Sequence, residues 1–181
     1  MPTLLEKIEA NAAKRLALPS NRLPAQELAR YKTFLKVETH RLKILHRGGA
    51  GGREVCQARA AVLDVLPRYI LDAVRKNTVL PPKTPALSLA LVAIGGYGRG
   101  ELNPHSDIDI MLLHDADALQ LNRGKSHPFL EAVVQPGGLI YTLFDIGLKL
   151  GHSVRTVADC VRVANSDMQS KTSLIEARFT W

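Results

Sequence analysis

The chain has 181 residues, 46% of them hydrophobic and 23% charged, with a formal net charge of +7. That length can bury a core of its own and suits one globular domain, or one domain with an appendage. No apolar run approaches the ~18 residues needed to cross a bilayer, and the amphipathic start MPTLLEKIEANAAKRL lacks the apolar centre of a secretory signal, so no membrane partner is expected.

In chain order, residues 3–16 have helical spacing, with Leu4, Leu5, Ile8 and Ala12 on one face. Pro19 and Pro24 bracket a break. Residues 25–46 return to the helical period through Leu28, Tyr31, Leu35, Leu42 and Leu45. A glycine-rich joint at 48–52 precedes a third helical pattern over 53–77 (Val55, Ala58, Val62, Leu66, Ile70, Val74), which Pro67 is expected to kink or divide. Pro81, Pro82 and Pro85 mark a linker. The period then changes. Leu87–Ile94 is a short apolar run that reads as a buried strand, and Asp107–His114 reads as a second strand after a turn-rich connection. Residues 129–145 are helical apart from Pro136-Gly137-Gly138. Ile146–Arg155 suggests a third strand, Thr156 caps a helix to about Asn165, and Ser166 or Asp167 caps another running to the end. The expected plan is α+β: a helical N-terminal segment, 1–85, then a unit of strands and helices, 86–181.

Charge follows the same division. Residues 1–85 hold 16 Lys/Arg against 7 Asp/Glu, and residues 86–181 hold 8 against 10. A basic half admits a nucleic-acid partner, although a solvated helical surface is the simpler account. Cys56 and Cys160, the two cysteines, are spaced for neither a disulfide framework nor zinc, which points to a reducing, cytoplasmic setting.

The chemistry concentrates in IGGYGRGELNPHSDIDIMLLHD, residues 94–115. On a strand Asp107 and Asp109 point the same way while Ile108 and Ile110 point into the core. Two adjacent carboxylates repel, and the pair is cheap to keep only if solvated, half-protonated or bridged by a cation; hard oxygen ligands suit Mg²⁺. Gly95 and Gly96, directly after a strand, let the backbone turn tightly and aim its amides at an anion. Arg99 sits where a guanidinium reaches phosphate. Together these parts form a triphosphate cradle beside a divalent-metal site, the arrangement that serves in-line displacement at an α-phosphorus with two metal ions. Ser106 is a candidate for bonding a phosphate or the turn backbone, and Glu101 for pairing with Arg99 or capping a short helix; Tyr97 is expected to pack under the loop. Gly124-Lys125-Ser126 resembles the end of a P-loop, but Leu119 occupies the place of the required glycine.

Gly95-Gly96, ten intervening residues and Asp107-Ile108-Asp109 resemble the signature of the polymerase-β-type nucleotidyltransferase superfamily. The longer strings GGYGRGELNPHSDIDIMLL and LFDIGLKLGHSVRTVADC resemble the N-terminal nucleotidyltransferase domain of the bifunctional uridylyltransferase/uridylyl-removing enzymes that act on the PII nitrogen-signalling protein. The resemblance covers roughly residues 45–181. It implies a polymerase-β-like core, a small mixed sheet flanked by helices. It also implies transfer of UMP from UTP to a PII tyrosine, with Mg²⁺ on Asp107 and Asp109 and release of pyrophosphate, in nitrogen regulation. Gly95, Gly96 and Arg99 would hold the triphosphate. A third carboxylate is expected on a later strand, with Asp145 the candidate and a plain helix C-terminal residue its alternative role. Arg155 would contact triphosphate or protein substrate, or pack at a strand end; His152 would orient a substrate group or be structural. The hydrolase and ACT domains of the longer family members are not represented, so uridylyl removal and glutamine sensing are not expected of these residues. An RNA or small-molecule acceptor, or a nucleotide-binding module without activity, are the competing readings.

Overall fold

The structure is a computed structural model that describes residues 3–19, 21–115 and 127–181. Helix α1 (Leu4–Leu16) begins at a capping box in which Thr3 and Glu6 satisfy each other's backbone amides. It buries Ile8, Ala12 and Leu16, while Leu5, expected on that face, is exposed. A 3-10 turn (Pro24–Glu27) leads into α2 (Leu28–Arg47). Helix α3 (Gly52–Asn77) is continuous through Pro67, so the proline does not divide it. The reason is energetic. An interior proline costs ~3 kcal/mol, whereas Val62, Leu63, Leu66, Ile70, Leu71 and Val74 are all buried along this helix and are worth roughly 1.5–3 kcal/mol each.

α3 is the axis of the molecule. It packs against α1 and α2, and also against α5 (Pro128–Val134) and α6 (Leu139–Asp145). The break between these two short helices falls at Pro136-Gly137-Gly138, as the sequence suggests. The remaining elements are β1 (Leu89–Ala93), a single helical turn α4 (Gly95–Gly98), β2 (Ile108–His114), β3 (Leu150–Thr156), α7 (Val157–Ser166), α8 (Met168–Ile175) and β4 (Arg178–Phe179). The last helix therefore stops short of the chain end, where a strand was not foreseen. Two residues are too few to show a period of two, and their place is set by pairing with Val92 and Ala93.

The sheet order is β3-β2-β1-β4. β1 lies antiparallel to β2 and β4, and β2 runs parallel to β3, so the sheet is mixed. Ile108, Ile110 and Leu112 of β2, with Leu91 and Ala93 of β1, join the residues of α1, α2 and α3 in one hydrophobic cluster. That cluster crosses the change in composition at residue 85. The P-loop-like Gly124-Lys125-Ser126 lies outside the described residues.

Candidate active site

The alternation of β2 leaves Asp107 and Asp109 exposed on one side and buries Ile108 and Ile110 on the other. Ile94 donates its amide to the carbonyl of Asp109 (3.0 Å), which ties the end of β1 to the strand carrying the carboxylates. The chain then turns at Gly95, whose φ of +61° lies in the left-handed region that favours glycine. Gly98 and Arg99 donate back to the carbonyls of Ile94 and Gly95, both at 3.1 Å, and close one helical turn. The amides at the start of such a turn have no intrahelical acceptor. A Cβ on Gly95 would stand 3.8 Å from Asp109 Oδ2, so the turn and the carboxylate face each other directly.

Gly151 was not singled out in the sequence. It pairs with Asp109 across the parallel β2–β3 register, and a methyl group there would overlap Asp109 Oδ1. The Asp109 carboxylate therefore lies over a bare backbone position on the next strand. A glycine inside a strand is the available signal, because it marks close approach by another group. Burial, and after it the charge of Asp107, raise the Asp109 carboxyl above the usual carboxylate range.

Asp107 and Asp109 line a cleft of about 420 Å³ together with Gly96, Arg99, Glu101 and Ser106, and with Asn103 and His105, which the sequence did not single out. Arg99 Nη1 donates to Glu176 Oε2 at 2.5 Å, so the C-terminal end of α8 holds this guanidinium beside the cleft. Glu101 does not pair with Arg99; its partner is Arg53, at 2.9 Å. Ser106 is held through its backbone, its amide donating to Asn103 and its carbonyl accepting from Arg59. Tyr97 is buried under the turn, as expected. Arg178 stacks over its ring, 5.5 Å from the centroid, donates to the carbonyls of Tyr97 and Gly98, and forms a two-pronged pair with Asp64 of α3 at 2.9 Å. This arginine fastens the glycine turn to the helical axis.

Asp145 sits at the C-terminal end of α6, exposed and outside the lining of the cleft. The expected third carboxylate on a later strand is not found on β3, where Gly151, Ser153 and Arg155 occupy the face shared with Asp109. Among the described residues, no three Asp, Glu, His or Cys side chains gather closely enough to form a metal site. Ser153 Oγ is buried on that same face without a hydrogen-bond partner among the described residues. Arg155 pairs with Leu113, four residues beyond Asp109, about 13 Å along the strand. Between them Cys160 of α7 covers Met111, Sγ to Sδ 3.5 Å. His152 faces the other side of the sheet and packs edge-on against Phe144.

Two neighbouring carboxylates, one raised toward its neutral form, aimed into a cleft beside a glycine turn and a guanidinium, suit a divalent cation and a polyphosphate. Comparison with known proteins places the chain among nucleotidyltransferases. Residues 82–151 match the model of the nucleotidyltransferase domain family. The chain is 37% identical over 142 residues to the bifunctional uridylyltransferase/uridylyl-removing enzyme of Erythrobacter litoralis, covering 77% of this chain and 14% of that protein. Against the protein of the same name from Caulobacter vibrioides it is 32% identical over 188 residues, covering 98% and 19% respectively. Against that of Thiobacillus denitrificans it is 44% identical over 96 residues, covering 53% and 10%. The chain thus spans less than one fifth of the length of these relatives.

Proposed function

The chain is a nucleotidyltransferase with a domain similar to that of the bifunctional uridylyltransferase/uridylyl-removing enzymes, and on that premise we propose that it moves UMP from UTP to a tyrosine hydroxyl of the PII signalling protein, in nitrogen regulation, releasing pyrophosphate. The observation that carries this reading is the seat of Asp109, whose carboxylate lies over Gly151 and opposite Gly95, beside Asp107 at the cleft.

The carboxylates fit Mg²⁺ by chemistry. They are hard oxygen donors, exposed to the cleft, and their mutual repulsion is relieved by a cation. Asp107 and Asp109 would hold it. Once bound, it neutralises triphosphate charge and lowers the pKa of the acceptor hydroxyl. The chain's own groups do the rest. The first amides of the glycine turn and the Arg99 guanidinium receive the phosphate oxygens. Glu176, by holding Arg99, keeps that cation at the mouth of the cleft before the nucleotide arrives. The acceptor oxygen then forms a bond to the α-phosphorus as the bond to pyrophosphate breaks, and the proton of the acceptor hydroxyl passes to water in the open cleft. Uridylyl removal is not assigned to these residues.

The test is incubation of the purified chain with Mg²⁺, purified PII and, in separate reactions, α-labelled UTP, ATP, CTP or GTP. The expected result is label on a PII tyrosine from UTP, with one pyrophosphate released per UMP transferred. Transfer to RNA or to a small hydroxylated molecule in place of PII would replace the acceptor, and no transfer to any of them would reduce the chain to a nucleotide-binding module.

A further inference from the structure

We propose that the groove between α2, α3 and the α6–β3 connection is the docking track for the protein acceptor, and that it receives an acidic segment with aliphatic side chains flanking the modified hydroxyl. This deepens the transferase reading above and rests on it.

The groove has a volume of about 430 Å³ and an aliphatic floor that includes Leu35, Leu42, Val62, Leu63 and Leu148. Its rim carries Lys43, His46 and Arg59. A second depression shares Leu35, Thr39, Lys43 and Ile146 with it and adds Lys32, Lys36 and His40. Among the described residues, no carboxylate lines either one. An apolar trough whose charged edge residues are lysines and an arginine is complementary to an apolar segment that carries negative charge.

The track leads to the chemistry. His105 lines both the groove and the catalytic cleft, and it stands two residues before Asp107. Arg59, in the wall of the groove, donates to the carbonyls of Asn103 and Ser106, the loop that delivers the catalytic strand. The groove and the cleft that holds the carboxylates therefore meet at His105.

The lining also separates a peptide from RNA. Single-stranded nucleic acid is gripped by aromatic faces on which bases stack. Among the described residues neither depression holds a Phe, Tyr or Trp, and the floor is aliphatic. Basic residues alone would suit both partners; the aliphatic floor suits side chains of a protein.

The experiment measures steady-state UMP transfer to purified PII by the wild-type chain and by Thr39→Trp, which fills the groove, and Lys43→Glu, which reverses its rim charge. Both positions are exposed on α2. The expected result is a KM for PII raised about tenfold or more in each variant, with KM for UTP and kcat unchanged. Should Thr39→Trp lower the melting temperature, Lys43→Glu alone decides. An unchanged KM for PII in an active wild-type background overturns the groove while leaving the transferase intact. A parallel rise in KM for UTP also overturns it, since the effect would then belong to the donor site. Loss of labelling of an RNA oligonucleotide, with PII labelling untouched, overturns it in favour of nucleic acid. A wild-type chain that modifies no PII removes the acceptor reading and the groove with it.

Discussion

Asp109 is pressed from two sides. Burial and the neighbouring Asp107 both favour its neutral form, so its folded pKa lies above its unfolded value. A raised carboxyl contributes stability that is present below the unfolded pKa, near 3.9, and lost as pH rises through the folded pKa. At neutral pH, without a cation, the pair therefore costs stability. Asp109→Asn should raise the melting temperature at pH 7 by about 2 °C, and the gain should vanish toward acid pH. The same variant and Asp107→Asn should each lower nucleotide transfer at least ~100-fold. A melting temperature that falls at pH 7, or transfer that persists in both variants, would remove the paired-carboxylate account. Gly151 carries a second prediction. Gly151→Ala places a methyl group where Asp109 Oδ1 lies, so the carboxylate must move. Transfer should drop tenfold or more while the melting curve barely shifts, because β3 tolerates alanine except for that one contact. Full activity in Gly151→Ala would mean that the position of the Asp109 carboxylate is not critical.

At the scale of elements, the glycine turn is too short to hold itself. One turn of helix with two free ends is unstable alone, and α4 has only four residues. Its anchors are tertiary: Tyr97 buried beneath it, and Arg178 donating to the carbonyls of Tyr97 and Gly98 from β4 while paired to Asp64 on α3. This explains why a two-residue strand near the end of the chain matters to a site some eighty residues earlier. Arg178→Ala should cost roughly 1–3 kcal/mol in urea unfolding and also reduce transfer, since the turn loses its fastening. A stability loss with undiminished transfer would show that the turn keeps its shape without the arginine. The helices that flank β3 and β4 were easier to read. Thr156 and Asp159 form a capping box for α7, and Asp167 caps α8 through Ser170. Those signals are local and survive in the sequence as plain residue types.

Over the whole molecule, the change of composition at residue 85 does not mark a gap in packing. α3 shares its core with α1 and α2 and with the helices that follow β2, and Trp181 donates its indole N–H to Asp72 of α3 at 2.9 Å. Since Trp181 is the single tryptophan, its fluorescence reports on the join between the two halves. Urea transitions followed by Trp181 fluorescence and by far-ultraviolet circular dichroism should coincide, as one cooperative core requires. Separate midpoints would mean that residues 1–85 and 86–181 unfold as independent units.

Sequence alone determined the elements and the side-chain placements whose causes are local. Helical periods, caps, the apolar strand before two glycines and the Asp-x-Asp alternation each need only neighbouring residues, so the order of elements and the central carboxylate pair were legible. Tertiary structure decided what depends on distant partners. It carried α3 unbroken through Pro67 because burial outweighs the proline penalty. It set Gly151 beneath Asp109 through strand register, gave Arg99 to Glu176 and Glu101 to Arg53, and left Asp145 on a helix end instead of the strand. Those outcomes rest on contacts between residues far apart in the chain, and spacing carries no record of them.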